Sequence, residues 1–504
     1  MGMVNKNNEL KKNIYVFFIY AGILFLSYSQ FFHYRITSDN VPGYGQGYRG
    51  LQLSLKILFL AGPFQLFACF ISLLFNKLGQ DHFFNTELWQ FAGIIIYAWS
   101  ATIVHDIIKN ISDIKSFFIF LGISLLFVNP FFIEFYVYHN VSFPWSILFT
   151  TLSIFFLLKH KYFICVIFSY LAQSIYQINI FLTFILCITI IYFINYDKNM
   201  GFLMKEEVKN CLIAVTGNIL FFIQNMLYIK FYGAISVSKD PLAHQDIGVR
   251  LNRLCYALLK MYKSNGFFFR SYALGLFVII CIVMACVSLL IYYLKKKEIK
   301  KCILEISILV LICGVIVLLS VSFFFVVNYS IVARLLLPVA FAISMLALIM
   351  IFFVQKSENR LVVAFSSFFL IFFSCYIHYK TQTYITDSYI AQAEDEFIVR
   401  MIENKINEYT EETGIQVTEI VTSRDFCRPL YEEQFSKEYS YNHKIYYDEW
   451  AMGNYVNLIN NENYEYRVMT SEERERYFSN DSLTSFDLSK QLVFDGDTVY
   501  WLAY

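Results

Sequence analysis

The chain has 504 residues, 58% hydrophobic and 19% aromatic, with only 16% charged and a net charge of +1. A soluble domain carries roughly 25% charged residues, and several apolar runs here reach the ~20 residues that cross a bilayer as helix. This excludes an ordinary soluble domain, and the balanced charge argues against a nucleic-acid partner.

The expectation is an all-α polytopic membrane protein with about 11 transmembrane helices. They fall near 13–32, 88–106, 116–133, 144–158, 162–175, 177–195, 210–231, 270–294, 302–327, 332–354 and 360–378. The amino end, with Lys6, Lys11 and Lys12 before Ile14–Tyr28, is shaped like a signal peptide. No small-x-small cleavage site follows before Asp39, so it reads as a retained first span. Only Tyr176 separates the fifth and sixth runs, so one of them is expected to be short or broken.

Residues 51–76 are apolar enough for one span, but Gly62-Pro63 interrupts them. Charge chooses the reading. If 51–76 form a juxtamembrane helix pair that does not cross, then Lys109/Lys115, Lys159/Lys161, Lys295–Lys301 and Lys356/Arg360 share one side with the amino terminus. By the positive-inside rule that side is the cytoplasm. The expected location is the plasma membrane, multi-pass, with a cytoplasmic amino terminus and an extracytoplasmic carboxyl end.

Residues 1–379 are therefore expected to form the membrane domain and 380–504 a small external α/β domain. Asp395–Glu412 has helical spacing of Phe397, Ile398, Met401, Ile402 and Ile406. Thr413-Gly414 ends that helix, and Ile415–Thr422 alternates like a strand.

No Walker A loop, Rossmann fingerprint or His-Glu-x-x-His motif is present, which argues against an ATP-driven pump and a metalloprotease. Eleven cysteines follow no metal spacing and read as apolar packing residues, and no metal is inferred. The informative polar stretch is the first external loop, 33–50, with Asp39, Tyr48, Arg49 and four glycines. A carboxylate at the membrane face suits deprotonation of a hydroxyl, and a guanidinium suits a phosphate. Arg334 lies one turn into an apolar span, where a charge is costly and is paired or functional. Tyr138 and His139 form an external aromatic loop suited to stacking on a sugar, and equally to an interface belt. Gln177 sits at a broken span. Arg250, Arg253 and Lys260 fit one helical face that could attract an anionic headgroup or an acidic polymer.

The order of these pieces resembles the type II O-antigen glucosyltransferase family, membrane enzymes of the GT-C class. The resemblance rests on the acid-bearing loop, Arg49-Gly50, Asn129-Pro130-Phe131-Phe132, Ser174-Ile175-Tyr176-Gln177 and Ala333-Arg334 with Pro338. It implies transfer of a sugar, glucose by default, from a polyprenyl-phosphate donor to a surface polysaccharide at the external face. Asp39 would be the base, and Arg49 and Arg334 would hold the lipid phosphate. Family members carry an acidic pair in the first loop, whereas this chain has Asp39 and Asn40. The family's aspartate after Asn-Pro-Phe-Phe has His139-Asn140 nearby instead. The expected partners are the lipid-linked donor, the polysaccharide acceptor and membrane lipids, with no cofactor. Two other classes stay open: a transporter or flippase of lipid-linked sugars, and a non-catalytic wall-polymer assembly protein.

Overall fold

A computed structural model describes residues 2–32, 82–137, 143–196, 200–232, 246–263, 272–326, 333–424, 449–460, 462–478 and 487–503. Asp39, Tyr48, Arg49, Tyr138, His139 and the 51–76 segment lie outside the described residues.

The described chain is mostly helical, with a small carboxyl-terminal sheet. Its helices are α1 (Gly2–Tyr28), α2 (His82–Ile111), α3 (Ser116–Phe127), α4 (Ile133–Val137), α5 (Phe143–Leu158), α6 (Tyr162–Ile175) and α7 (Asn179–Asn195). These are followed by α8 (Met200–Tyr232), α9 (Ile247–Tyr262), α10 (Ala273–Lys296), α11 (Ile299–Val321), α12 (Phe323–Val326), α13 (Leu337–Lys356) and α14 (Arg360–Thr413). Each of the eleven apolar runs read from the sequence coincides with a helix or a bent helix pair. Among the described residues, 6 helices are long and apolar enough to cross a membrane, or 7 if α3 and the segment after it count as one bent span. Four apolar helices are shorter.

Helix α13 is the hub: its apolar window is wholly buried, and it packs against α3, α7, α10, α11 and α14. A helix apolar all round must be covered on every side by other apolar groups. Ser344 on α13 satisfies its hydroxyl by donating to the Gly122 carbonyl of α3 at 2.7 Å.

The bundle has two chemically different ends. At one, the lysine-rich turns gather: Lys115 N–H donates to Gln355 Oε1 (3.3 Å), Lys295 Nζ to the Ser357 carbonyl (2.8 Å), and Lys356 Nζ lies 4.0 Å from the Tyr196 ring centre. At the other end, Phe32 after α1 meets Phe91 near the start of α2, with ring centres 6.4 Å apart. The chain thus leaves α1 and re-enters α2 at the same end. Ser27 at that end accepts through its carbonyl from Gln382 of α14 at 2.8 Å.

Helix α14 runs 54 residues without a break, roughly 80 Å at 1.5 Å per residue. The residue-380 boundary read from composition falls inside it. Its last turns bury Ile398, Val399, Ile402 and Ile406 against the sheet, while Phe397, read from the sequence as part of that face, is 56% exposed. Gly414 ends the helix at φ +72°, a backbone conformation that costs glycine nothing and strains other residues. The sheet consists of β1 (Glu419–Arg424), β2 (Glu465–Val468), β3 (Leu492–Asp495) and β4 (Thr498–Ala503), in the order β2-β1-β4-β3. Strand β1 is parallel to both β2 and β4, and β3 is antiparallel to β4. Helix α15 (Glu449–Asn460) carries the chain from β1 to β2 and packs beside α14.

Candidate functional site at the broken α3–α4 span

The site begins where a helix is forced to stop. Helix α3 ends at Phe127, and the chain bends by 55° before resuming at Pro130. Proline has no N–H to donate and disfavours helix in the residue before it. The buried Asn129 mends the break. Its Oδ1 accepts from Phe131 N–H (3.0 Å), its Nδ2 donates to the Leu125 carbonyl (3.2 Å), and its N–H donates to the Tyr28 hydroxyl (3.3 Å). Tyr28 in turn donates to the Phe127 carbonyl at 2.7 Å. The orphan groups of both helix ends are thus satisfied by two side chains.

The break turns α4 across the end of the bundle and fixes it in an aromatic seat. Tyr136 stacks on Tyr28 with centroids 3.8 Å apart. Tyr97 donates to the Phe135 carbonyl at 2.8 Å, and Phe135 stacks on Phe143 at 4.6 Å. The Tyr136 hydroxyl is buried and has no hydrogen-bond partner among the described residues.

On the first turn of α4 stands Glu134, 2% exposed. Its Oε2 accepts the backbone N–H of Arg334 at 3.0 Å and lies 3.5 Å from Arg334 Nη1. Arg334 occupies the 3₁₀ turn Ala333–Leu336 that leads into α13, and Pro338 sits in the first turn of α13. A carboxylate there complements the positive end of a helix as well as a guanidinium. The carboxylate is sealed in the protein, while the Arg334 side chain remains 31% exposed. The pair joins α4 to the turn that leads into the hub helix and leaves the cation partly exposed at this end.

The sequence-derived residues distribute unevenly around this pair. Arg334 is its centre, with the Glu134 carboxylate 3.5 Å from its guanidinium. Gln177 is exposed in the turn between α6 and α7. Its neighbour Tyr176 packs on Phe135 and Phe143 at 5.6 and 4.9 Å, which brings that turn beside α4. The turn is held by the buried Asn179, whose Nδ2 donates to the carbonyls of Ala172 (2.8 Å) and Tyr176 (2.7 Å). Arg250 and Arg253 lie on α9, half-buried, and that helix packs on α10, α11 and α12. They are not members of the Glu134–Arg334 pair.

Sequence reasoning missed Glu134. It lies just past the apolar run 116–133, where the sequence shows no partner for it. The available signal was an acid four residues past Pro130 of an Asn-Pro break, close enough to share the bent segment.

A groove of about 490 Å³ opens between α1, α3 and α14, lined by Ile23, Val128, Cys375, His378, Tyr379 and Gln382 among others. It is almost wholly apolar and reaches Val128, the residue beside Asn129. No protein-family model, no curated protein and no solved structure matches the chain.

Proposed function

We propose that this chain is an integral membrane glycosyltransferase. It moves a sugar from a polyprenyl-phosphate donor to a surface polysaccharide at the end of the bundle that carries Arg334. The observation behind this reading is the buried Glu134 holding Arg334 at the rim of a broken span. A guanidinium presents five donors in a fixed, planar fork. An arginine pinned through its own backbone is suited to hold a phosphate in one orientation. The apolar groove along α1, α3 and α14 gives a hydrocarbon chain a route to the same place.

In this reading the lysine-rich end is cytoplasmic, and Arg334 faces outside with the carboxyl-terminal domain. Asp39 follows Phe32 by seven residues, at most about 25 Å of extended chain, so it belongs to the same end. It takes the proton of the acceptor hydroxyl as that oxygen attacks the anomeric carbon. The bond from that carbon to the phosphate oxygen breaks, and polyprenyl phosphate leaves with its charge on Arg334 and Arg49. A single displacement inverts the anomeric configuration. Glucose is the first donor to try.

The test is transfer of labelled sugar from polyprenyl-phosphate-glucose, in membranes holding the native polymer, by wild type and Asp39→Asn at matched expression. Transfer by wild type alone supports the reading. Equal transfer by both removes Asp39 as the base.

A further inference from the structure

A second groove, of about 670 Å³, lies between α9, α10 and α11, and neither Glu134 nor Arg334 lines it. Its walls are apolar: Leu258 and Leu259 of α9, Leu276 and Ile279 of α10, and Val317 of α11. Leu259, Leu276 and Ile279 are 54%, 56% and 59% exposed, so the groove opens outward rather than into the core. Lys263 and Tyr272, both exposed, also line it.

Two contacts build its floor. The Tyr262 hydroxyl and Ser320 Oγ share a hydrogen bond of 2.8 Å, tying α9 to α11. The Tyr262 carbonyl lies where a Cβ on Gly275 would be, 2.0 Å away, so only glycine lets the end of α9 cross the start of α10.

Helix α9 itself carries three faces. Ala257 and Met261 are buried against the bundle. Ile247, Leu251, Cys255 and Leu259, four residues apart, form an exposed apolar strip. From Ile247 to Lys263 the sequence has four cations, Arg250, Arg253, Lys260 and Lys263, and no acid. A helix with an apolar strip beside a cationic arc rests at the boundary of hydrocarbon and headgroups. Its place, at the end of α10 and α11 opposite Lys295–Lys301, agrees with that.

We propose that the α9–α10–α11 groove is a binding site for an anionic glycerophospholipid, one acyl chain lying along Leu276 and Ile279 and the phosphate on Lys263. The occupant follows from the charge: among the described residues the slot is lined by one cation, Lys263, and by no acid, which favours a lipid whose headgroup is net negative over a zwitterionic one. The groove shares no lining residue with the Glu134–Arg334 pair, so its occupant is not tied to that site. The inference rests on the membrane reading above, but not on the transfer reaction.

The test uses the full chain in nanodiscs doped with phosphatidylglycerol bearing a photoactivatable acyl chain, with cross-linked peptides read by mass spectrometry. The peptide with Leu276 and Ile279 is labelled in wild type. Labelling falls about fivefold in Lys263→Gln, the ~1 kcal/mol of one lysine near an anionic headgroup, and further in Lys263→Glu. The matching phosphatidylcholine probe labels wild type only at the Lys263→Gln level. Label at Leu311 and Phe368, exposed at 67% and 70% on α11 and α14, stays constant and shows that the variants are folded. Equal labelling of wild type and Lys263→Glu overturns the proposal. So does equal labelling by the two probes, or displacement of the label by added polyprenyl phosphate. Label at Leu311 and Phe368 without label at Leu276 overturns this site alone; no label on any apolar helix overturns the membrane reading as well.

Discussion

Glu134 and Arg334 are 200 residues apart, and the Glu134 carboxylate accepts the Arg334 backbone N–H at 3.0 Å while its Oε2 faces the same residue's guanidinium. One side chain therefore meets both the backbone at the start of the hub helix and the guanidinium beside it. The two roles separate by substitution. Glu134→Gln keeps an oxygen for the N–H, so thermal unfolding stays close to wild type. Glu134→Ala leaves that N–H without its acceptor in a buried place, a loss of about 1–3 kcal/mol. Thermal unfolding of the two variants checks this; equal midpoints would show that the N–H contact carries no stability.

Arg334→Lys keeps the charge but loses the planar fork. If the guanidinium orients a phosphate, transfer falls roughly a hundredfold, the scale of losing one aligned donor to developing charge, while unfolding is little changed. Transfer at the wild-type rate by Arg334→Lys would mean that a point charge suffices there.

Asn129 closes the break with three hydrogen bonds. Asn129→Ala removes the two made by its side chain, the cap on Phe131 and the bond to the Leu125 carbonyl. About 1–2 kcal/mol is expected from the lost cap alone, read as a lower midpoint. Because the bend seats α4, the same variant loosens Glu134, and transfer should fall by more than the stability loss explains.

In the carboxyl-terminal domain, Arg467 forms a two-pronged pair with Glu473 at 2.7 and 2.8 Å and also meets Glu419 at 2.8 Å. Glu473 further closes the capping box with Thr470 that starts α16 (Ser471–Tyr477). The Arg467 hydrogen bonds, helped by those from Thr470, pull the Glu473 carboxyl down from its usual 4.5 to about 2. A lowered folded-state value stabilises above the ordinary carboxylate range, and that contribution is lost as pH falls from about 4.5 through about 2. Glu473→Gln should therefore be less stable than wild type at neutral pH, with the gap narrowing as pH falls through this window. A gap that does not change with pH would contradict the assignment.

The proposed membrane orientation predicts that a reporter fused after Lys301 reads as cytoplasmic and one fused after Gly414 as external. The reverse pair of results would put Arg334 on the cytoplasmic face and remove the acceptor polysaccharide from its reach.

Much of the helical layer was legible in the sequence, because runs of apolar residues leave helix as the means of satisfying the backbone in a bilayer. The stop at Gly414 and the helical face of Arg250, Arg253 and Lys260 were legible for local reasons: a left-handed cap and a 3.6-residue period. The single helix from Arg360 to Thr413 was not. Its composition changes near Lys380, and composition reports the surroundings of a helix rather than its continuity. Arg334 stood out because a charge in an apolar run is rare. Its partner did not, since no local pattern announces a contact across 200 residues, and Glu134 sits where the apolar run gives way to a polar loop.

The measurement that tests the central claim most directly is sugar transfer by Glu134→Gln beside wild type, from polyprenyl-phosphate-glucose in membranes with the native polymer. The variant's fold is confirmed by an unchanged unfolding midpoint. The account predicts transfer by wild type and a loss of roughly a hundredfold in Glu134→Gln, because the charge that orients Arg334 is gone while the hub helix keeps its start. Wild-type transfer by a folded Glu134→Gln would contradict it and leave the buried pair as a purely structural tie.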